Sequence, residues 1–135
     1  MAKATAVEST KRTFIYNVAA LDRVVDGDTV EMTLDLGFNI FYKVEVRLGG
    51  IDTPERNTPE GKIVKAKVEE WLRGKVLVLN SKELDKYGRV LGDVSTDKGE
   101  SLNKWLIENG FARVYNGEKK VAWTEAQIKK ILEAK

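Results

Sequence analysis

Cysteine and histidine are both missing from the 135 residues of this chain. The absence of cysteine excludes disulfides and thiolate-bound metals, and the absence of histidine excludes an imidazole base and most zinc sites. Any acid–base chemistry must therefore use carboxylates, lysine, tyrosine or arginine.

Long apolar runs are missing as well. No segment approaches the roughly 20 apolar residues that span a bilayer, and the first eleven residues lack the apolar stretch of a secretory signal. We therefore expect a soluble protein with no membrane partner, cytoplasmic as the chain stands. A secreted protein whose signal had been removed would look the same.

The net charge of +2 is too small to name a partner, but its distribution is uneven. Between Asp22 and Glu60 there are nine acidic and four basic residues, whereas Lys62 to Lys75 has five basic and two acidic ones. Ordinary solvated charge explains such an imbalance about as well as a cation site within a surface that attracts polyanions.

The hydrophobic pattern predicts five short strands, with one helix between the third and the fourth and two more helices after the fifth. This order is typical of a small Greek-key barrel of the OB type, although the pattern alone leaves other α+β layouts open. We expect residues 1–11 to form a loose tail and residues 12–135 a single domain. The expected strands are Phe14–Val25, Val30–Leu34, Ile40–Leu48, Val76–Leu79 and Val90–Val94, and the helices are Pro59–Arg73, a segment from Leu102 to Gly110, and one marked by Trp123 and Ile128.

In the third strand the apolar side chains alternate with polar ones. Alternation places the even-numbered positions on one apolar face and directs Arg47 away from it. The expected apolar face consists of Ile40, Tyr42, Val44, Val46 and Leu48. The polar segment from Ser81 to Gly88 is expected to be a turn region between two strands.

Two carboxylate-bearing segments are candidates for a cation site. Asp26-Gly27-Asp28-Thr29 is a strong turn signal in its own right, and alone it is more often structural. A functional role becomes the better explanation if the sheet brings Asp52, which follows the strand that carries Arg47, close to Asp28. Two carboxylates with carbonyl oxygens and water suit calcium or magnesium and do not suit soft metals.

Asp52-Thr53-Pro54-Glu55 adds a second acid three residues after the first. Pro54 restricts Thr53 to an extended backbone, so the segment has a fixed shape. A loop that only leads into the helix at Pro59 is an equally good explanation of this segment taken alone.

Two arginines are candidates for binding phosphate. Guanidinium is planar, remains charged and presents paired donors that match phosphate oxygens. Most surface arginines have no such role, but Arg47 precedes Asp52 by five residues and Arg89 ends the segment Lys86-Tyr87-Gly88-Arg89.

Taken together, these segments resemble the staphylococcal (micrococcal, thermonuclease-type) nuclease family from about Val24 to Val114, with a weaker similarity in the last helix. The resemblance implies an OB-fold barrel packed against about three helices. It also implies that Asp28, Asp52 and the Thr53 carbonyl bind Ca²⁺, with Asp26 nearby, and that Mg²⁺ is the less favoured ion. Glu55 would be the general base that activates water.

The same resemblance gives the arginines and the nearby aromatic residues their roles. Arg47 and Arg89 would stabilise the charge that develops on phosphorus. Lys86, Tyr87 and Tyr115 are candidates for holding the nucleotide by charge, hydroxyl contact and base stacking.

We therefore expect a calcium-dependent, sugar-nonspecific endonuclease. It would hydrolyse DNA and RNA, preferably single-stranded, by in-line attack of water, and leave 3′-phosphate ends; a monomer is expected. The alternative is an inactive OB-fold module that binds single strands by stacking and charge. A calcium sensor without a nucleic-acid partner is a third hypothesis, which leaves Arg47 and Arg89 unexplained.

Overall fold

The five main strands close into a barrel. The computed structural model describes residues 14–134, so the tail expected over residues 1–11 lies outside the described part of the chain. The barrel order is β1-β2-β3-β6-β5, with β5 pairing back to β1. The elements are β1 (Phe14–Asp26), β2 (Thr29–Asp35), β3 (Phe41–Leu48), β4 (Ile51–Asp52), α1 (Pro59–Leu72), β5 (Leu77–Leu84), β6 (Val90–Thr96), α2 (Leu102–Glu108), β7 (Arg113–Val114) and α3 (Glu125–Glu133).

Barrel neighbours run antiparallel except β3 and β6, which pair in parallel. A single helix, α1, follows β3 and the short β4 and precedes β5, as the sequence predicts. The expected α+β class, a five-stranded OB-type barrel with three helices, is therefore confirmed.

Strict alternation in β2 builds the barrel interior. Val30, Met32 and Leu34 are buried and alternate with partly exposed residues. Because side chains in a strand point to opposite faces with a period of two, this pattern directs the apolar set inward. Leu79 of β5 and Val94 of β6 are fully buried in the same core.

The helices pack on the outside of the barrel, and aromatic rings join two of them. Helix α1 packs against β1 and α3, while α2 packs against β6. The ring centroids of Trp71 and Trp105 are 6.4 Å apart and those of Trp105 and Phe111 are 5.5 Å apart. These tilted aromatic pairs join α1, α2 and the segment after α2 into one layer.

The start of α1 fixes the loop that precedes it. Thr58 caps the helix by accepting the Gly61 N–H at 3.0 Å, and Pro59 occupies the first turn. A Cβ at Gly61 would lie 1.7 Å from the Glu55 carbonyl oxygen. Only glycine allows this approach, so the backbone at Glu55 is held directly against the helix.

The expected bounds of the fourth barrel strand, β5, are wrong. Ser81 to Leu84, which were expected to lie in a turn, continue β5 and pair with β6, while Val76 precedes the strand and is exposed. The ladder continues through polar residues because its hydrogen bonds join backbone groups and do not need apolar side chains.

The apolar face predicted for β3 is buried only over its second half. Val46 and Leu48 are fully buried, but Tyr42 is 61% exposed and Ile40, which lies just before the strand, is 54% exposed. The reason is that β3 pairs with β6 only from Val46 to Leu48. From Phe41 to Glu45, β3 pairs with β2 alone.

The last helix begins two residues after Trp123. Thr124 caps α3 in a reciprocal capping box with Gln127, and Trp123 lies before the cap. Within residues 14–134, no helix is long and apolar enough to cross a membrane.

Candidate functional site

The β1–β2 turn, the end of β3 and the short β4 meet at one end of the barrel. The Leu48 N–H donates to the Asp28 carbonyl at 2.8 Å, and the Thr53 N–H donates to Asp28 Oδ2 at 3.2 Å. Asp28 and Asp52 are 6% and 3% exposed. The strand connections therefore bring the two predicted carboxylates to the same buried place.

Arg47 lies between these two carboxylates. Its Nη2 is 3.3 Å from Asp28 Oδ2 and 3.9 Å from Asp52 Oδ1, while Nη1 donates to the Leu48 carbonyl at 2.7 Å. The arginine is 8% exposed. It does point away from the apolar face of β3, as predicted, but it is buried against acids and is not an open surface side chain.

The oxygen atoms around Asp28 are all of the hard type that binds calcium or magnesium. Thr29 Oγ1 donates to Asp28 Oδ1 at 3.1 Å, and the buried Thr53 hydroxyl has no hydrogen-bond partner within the described residues. A Cβ on Gly27 would come within 2.8 Å of that hydroxyl, so glycine leaves the space beside it. Across residues 14–134, no group of three or more acidic side chains is placed to share one ion. The residues present fit a hard cation held by two carboxylates, with carbonyl oxygens or water for the remaining positions.

Asp52 has two further partners that the sequence did not reveal. Arg113 donates from Nε at 3.2 Å and from Nη2 at 3.0 Å to Asp52 Oδ2, and Lys120 Nζ is 3.2 Å from Asp52 Oδ1. Arg113 comes into place because β7 pairs with β4, with Asp52 opposite Arg113. A strand of two residues has no periodic signal, so only the folded structure identifies this pair.

Arg113 also fixes the segment that precedes α3. Its Nη2 donates to the Val121 carbonyl at 2.6 Å, and its guanidinium lies 4.5 Å from the centre of the Trp123 ring. Trp123, considered above only as a helix residue, thus contacts the site through this arginine.

Glu55, the predicted base, lies three residues after Asp52 in the loop that precedes α1. Its side chain is exposed, and it does not line the cleft that contains Arg89. It is close enough to Asp26 to influence it. Burial raises the pKa of Asp26, the charges of Asp28 and Glu55 raise it further, and the Gly27 N–H and the charge of Arg56 act in the opposite direction.

Arg89 is held by an acid that sequence reasoning missed. Its Nε donates to Asp85 Oδ2 at 2.7 Å, and Asp85 Oδ1 accepts the Tyr87 and Arg89 N–H groups, both at 2.9 Å. Although partial burial raises the pKa of Asp85, these hydrogen bonds and the charge of Arg89 outweigh it and lower that pKa overall. The Asp-x-x-x-Arg spacing of a tight turn was the available signal.

The predicted phosphate and nucleotide residues line one cleft of about 680 Å³ beside the buried acids. Arg47 forms its inner end, and the Arg89 guanidinium lies 5.3 Å from the Tyr87 ring at its rim. The residues predicted from sequence that line it are Arg47, Lys86, Tyr87, Arg89 and Tyr115, and Lys120 joins them. The structure therefore unites two predicted groups, the cation ligands and the phosphate-binding residues, through Arg47, and it leaves Glu55 outside the cleft lining.

Comparison with known proteins gives one family. Residues 45–135 match the family model described as staphylococcal nuclease homologue. That range contains Arg47, Asp52, Glu55 and Arg89, and it omits Asp28, which the fold nevertheless places against Thr53.

Several similar proteins bear endonuclease names. A protein of Escherichia coli named an uncharacterized endonuclease is 32% identical over 93 residues, which cover 69% of this chain and 58% of that protein. Endonuclease YhcR of Bacillus subtilis is 31% identical over 109 residues, covering 70% of this chain and 9% of that protein. The SPbeta prophage-derived endonuclease YokF of Bacillus subtilis is 36% identical over 103 residues, covering 70% of this chain and 33% of that protein. The chain thus matches little more than half of the Escherichia coli protein and much smaller parts of the other two.

Proposed function

The chain belongs to the staphylococcal nuclease family, and on that basis we propose that it is a calcium-dependent endonuclease that hydrolyses DNA and RNA without regard to the sugar. The observation that carries the proposal is Arg47, which contacts both buried carboxylates and also lines the cationic cleft. A cation site and a phosphate site are therefore adjacent and share one side chain.

The charge and shape of the cleft support a nucleic-acid substrate. Four cationic side chains line it against two acidic ones. Phosphate contacts of this kind favour any polyanion and carry no base information. Tyr87 is 72% exposed at the rim and offers a stacking surface to an unpaired base. This combination favours single strands over duplex, and because one chain supplies the whole lining of the cleft, we propose that a monomer is active.

Asp28, Asp52 and the Thr53 carbonyl would hold Ca²⁺, which when bound supplies positive charge next to the scissile phosphate. Arg47 and Arg89 donate to the phosphate oxygens, and their donors stabilise the charge of the five-coordinate transition state. Arg47 retains N–H groups for this purpose, since a guanidinium has five and the protein contacts above use few of them.

The proposed reaction is an in-line displacement. The oxygen of a water molecule forms a bond to phosphorus while the bond from phosphorus to the 5′ oxygen breaks, and Glu55 takes the proton of the attacking water. The 5′ oxygen leaves and gains a proton from solvent, and the other fragment keeps the phosphate on its 3′ oxygen. A positioned base of this kind contributes about 10²–10⁴-fold to the rate.

The roles of Glu55 and Arg89 are assigned to opposite ends of the reaction. The Glu55 backbone is held against Gly61 while its side chain is exposed, and Glu55 does not line the cleft that contains Arg89. Because an in-line reaction places the attacking water and the leaving oxygen on opposite sides of phosphorus, Glu55 would serve the water and Arg89 the leaving oxygen.

The test is cleavage of heat-denatured DNA and of RNA in EDTA, in magnesium and in calcium, followed by analysis of the fragment ends. Calcium-dependent cutting that leaves 3′-phosphates is expected. Glu55→Gln should lose activity at saturating calcium, whereas Glu70→Gln, an exposed glutamate of α1, should retain it. Binding without cleavage in any metal would favour the inactive single-strand-binding module instead.

A further inference from the structure

The segment between β7 and α3 brings a lysine to the buried end of Asp52. Lys120 Nζ lies 3.2 Å from Asp52 Oδ1, with side-chain exposures of 50% for the lysine and 4% for the aspartate. The next residue, Val121, is fixed because its carbonyl accepts the Arg113 guanidinium at 2.6 Å. Lys120 Nζ also lies 5.4 Å from the Tyr115 ring centre. The ammonium thus lies against Asp52, next to a residue whose carbonyl is held by Arg113.

The two oxygens of Asp52 have different environments. Oδ2 accepts both hydrogen bonds from Arg113. Oδ1 faces Arg47, whose Nη2 is 3.9 Å away, and it therefore lies on the side of Asp28. A cation shared by the two aspartates would take Oδ1, the oxygen that Lys120 contacts.

We propose that Lys120 is a tethered competitor of the divalent cation, a role that rests on the calcium site proposed above. The lysine occupies Asp52 Oδ1 until a cation displaces it. The half-exposed side chain needs no new burial when it leaves, and it already lines the cleft in which substrate phosphate would lie. Cation entry therefore releases a positive charge to the place where a polyanion binds.

The size of the effect follows from the exposure of the pair. Ion pairs with one exposed partner are individually weak, so removing the competitor should tighten calcium binding by roughly two- to fivefold. Lys120→Met keeps the length of the apolar stem and removes the charge. The matched control is Lys119→Met, because Lys119 is exposed, carries the same charge one residue earlier and forms no ion pair within residues 14–134.

The measurement is the calcium dissociation constant of the three proteins without nucleic acid, by equilibrium dialysis at low and at high salt. Lys120→Met is expected to bind more tightly than Lys119→Met, and the difference should shrink as salt weakens the competing pair. Equal affinity of the two variants, or weaker binding by Lys120→Met, overturns the competitor role and leaves the nuclease proposal standing. No calcium binding by any of the three overturns the calcium site itself, and the competitor role with it.

Discussion

Replacing Arg113 with methionine should destabilise the fold more than its modest exposure suggests. Its side chain is 18% exposed and its guanidinium makes two hydrogen bonds to Asp52, whose side chain is 4% exposed. Removing one partner of a buried pair typically costs about 3–5 kcal/mol because the other charge remains buried. Here Asp52 keeps Lys120 and Arg47 nearby. We therefore expect a loss below that range, about 2–3 kcal/mol, the size of a lost hydrogen bond to a charged group.

The matched control is Arg23→Met. Arg23 forms a shorter contact, 2.6 Å to Glu31, but the two side chains are 64% and 24% exposed. Exposed pairs contribute about 0–1 kcal/mol. If burial and not distance sets the energy, the variant with the longer ion pair, Arg113→Met, loses more stability.

The assay is urea unfolding followed by circular dichroism, which gives the free energy of unfolding and its slope with denaturant. Both variants should keep the wild-type slope, since the surface exposed on unfolding is unchanged. A loss in Arg113→Met no larger than in Arg23→Met would refute the reasoning from burial. Saturating calcium should then restore part of the loss in Arg113→Met, because a bound cation supplies charge to the same carboxylate.

Three further variants test other parts of the structure. Gly61→Ala should cost about 1–3 kcal/mol through overpacking, although alanine is normally the better helix former, because its Cβ would meet the Glu55 carbonyl; urea unfolding and cleavage assays should both show the loss. Asp85→Asn should be less stable than wild type at neutral pH. The pKa of Asp85 is lowered on folding, so the stability that its charge contributes is present above the unfolded value of 3.8. That stability is lost as pH falls through the folded value, and the unfolding curves of the two proteins should therefore converge in acid. Leu79→Ala, at a fully buried barrel position, should lose about 2–5 kcal/mol in the same assay, and a loss below 1 kcal/mol would contradict the assigned core.

The barrel could be predicted from the sequence because its signal is local. Alternation over Val30 to Leu34 identifies β2 and its inward face, and the cap at Thr58 with Pro59 identifies the start of α1. The same rule failed at Tyr42, where the alternation of β3 continues but the pairing with β6 does not. Burial depends on what covers a strand, and the strand's own residues do not contain that information.

The acids of the candidate site were predictable for a different reason. Asp28 directly precedes β2 and Asp52 follows β3 by four residues, and β2 pairs with β3 so that Thr29 lies opposite Arg47. The proximity of the two acids therefore follows once this pairing is known. The contacts of Arg113 and Lys120 with Asp52 could not be predicted in this way. Arg113 reaches Asp52 across 61 positions of the chain through a two-residue strand, and Lys120 lies on a connection without regular structure.

These two residues change how the acids should be understood. Three cationic side chains, those of Arg47, Arg113 and Lys120, lie within 4 Å of the carboxylates of Asp28 and Asp52. The fold thus surrounds both buried acids with cationic side chains of its own. A divalent cation would gain only the difference between its own attraction to the acids and that of the cations it displaces or repels. Lys120 and Arg113 would therefore lower the affinity with which the proposed aspartate ligands bind such a cation.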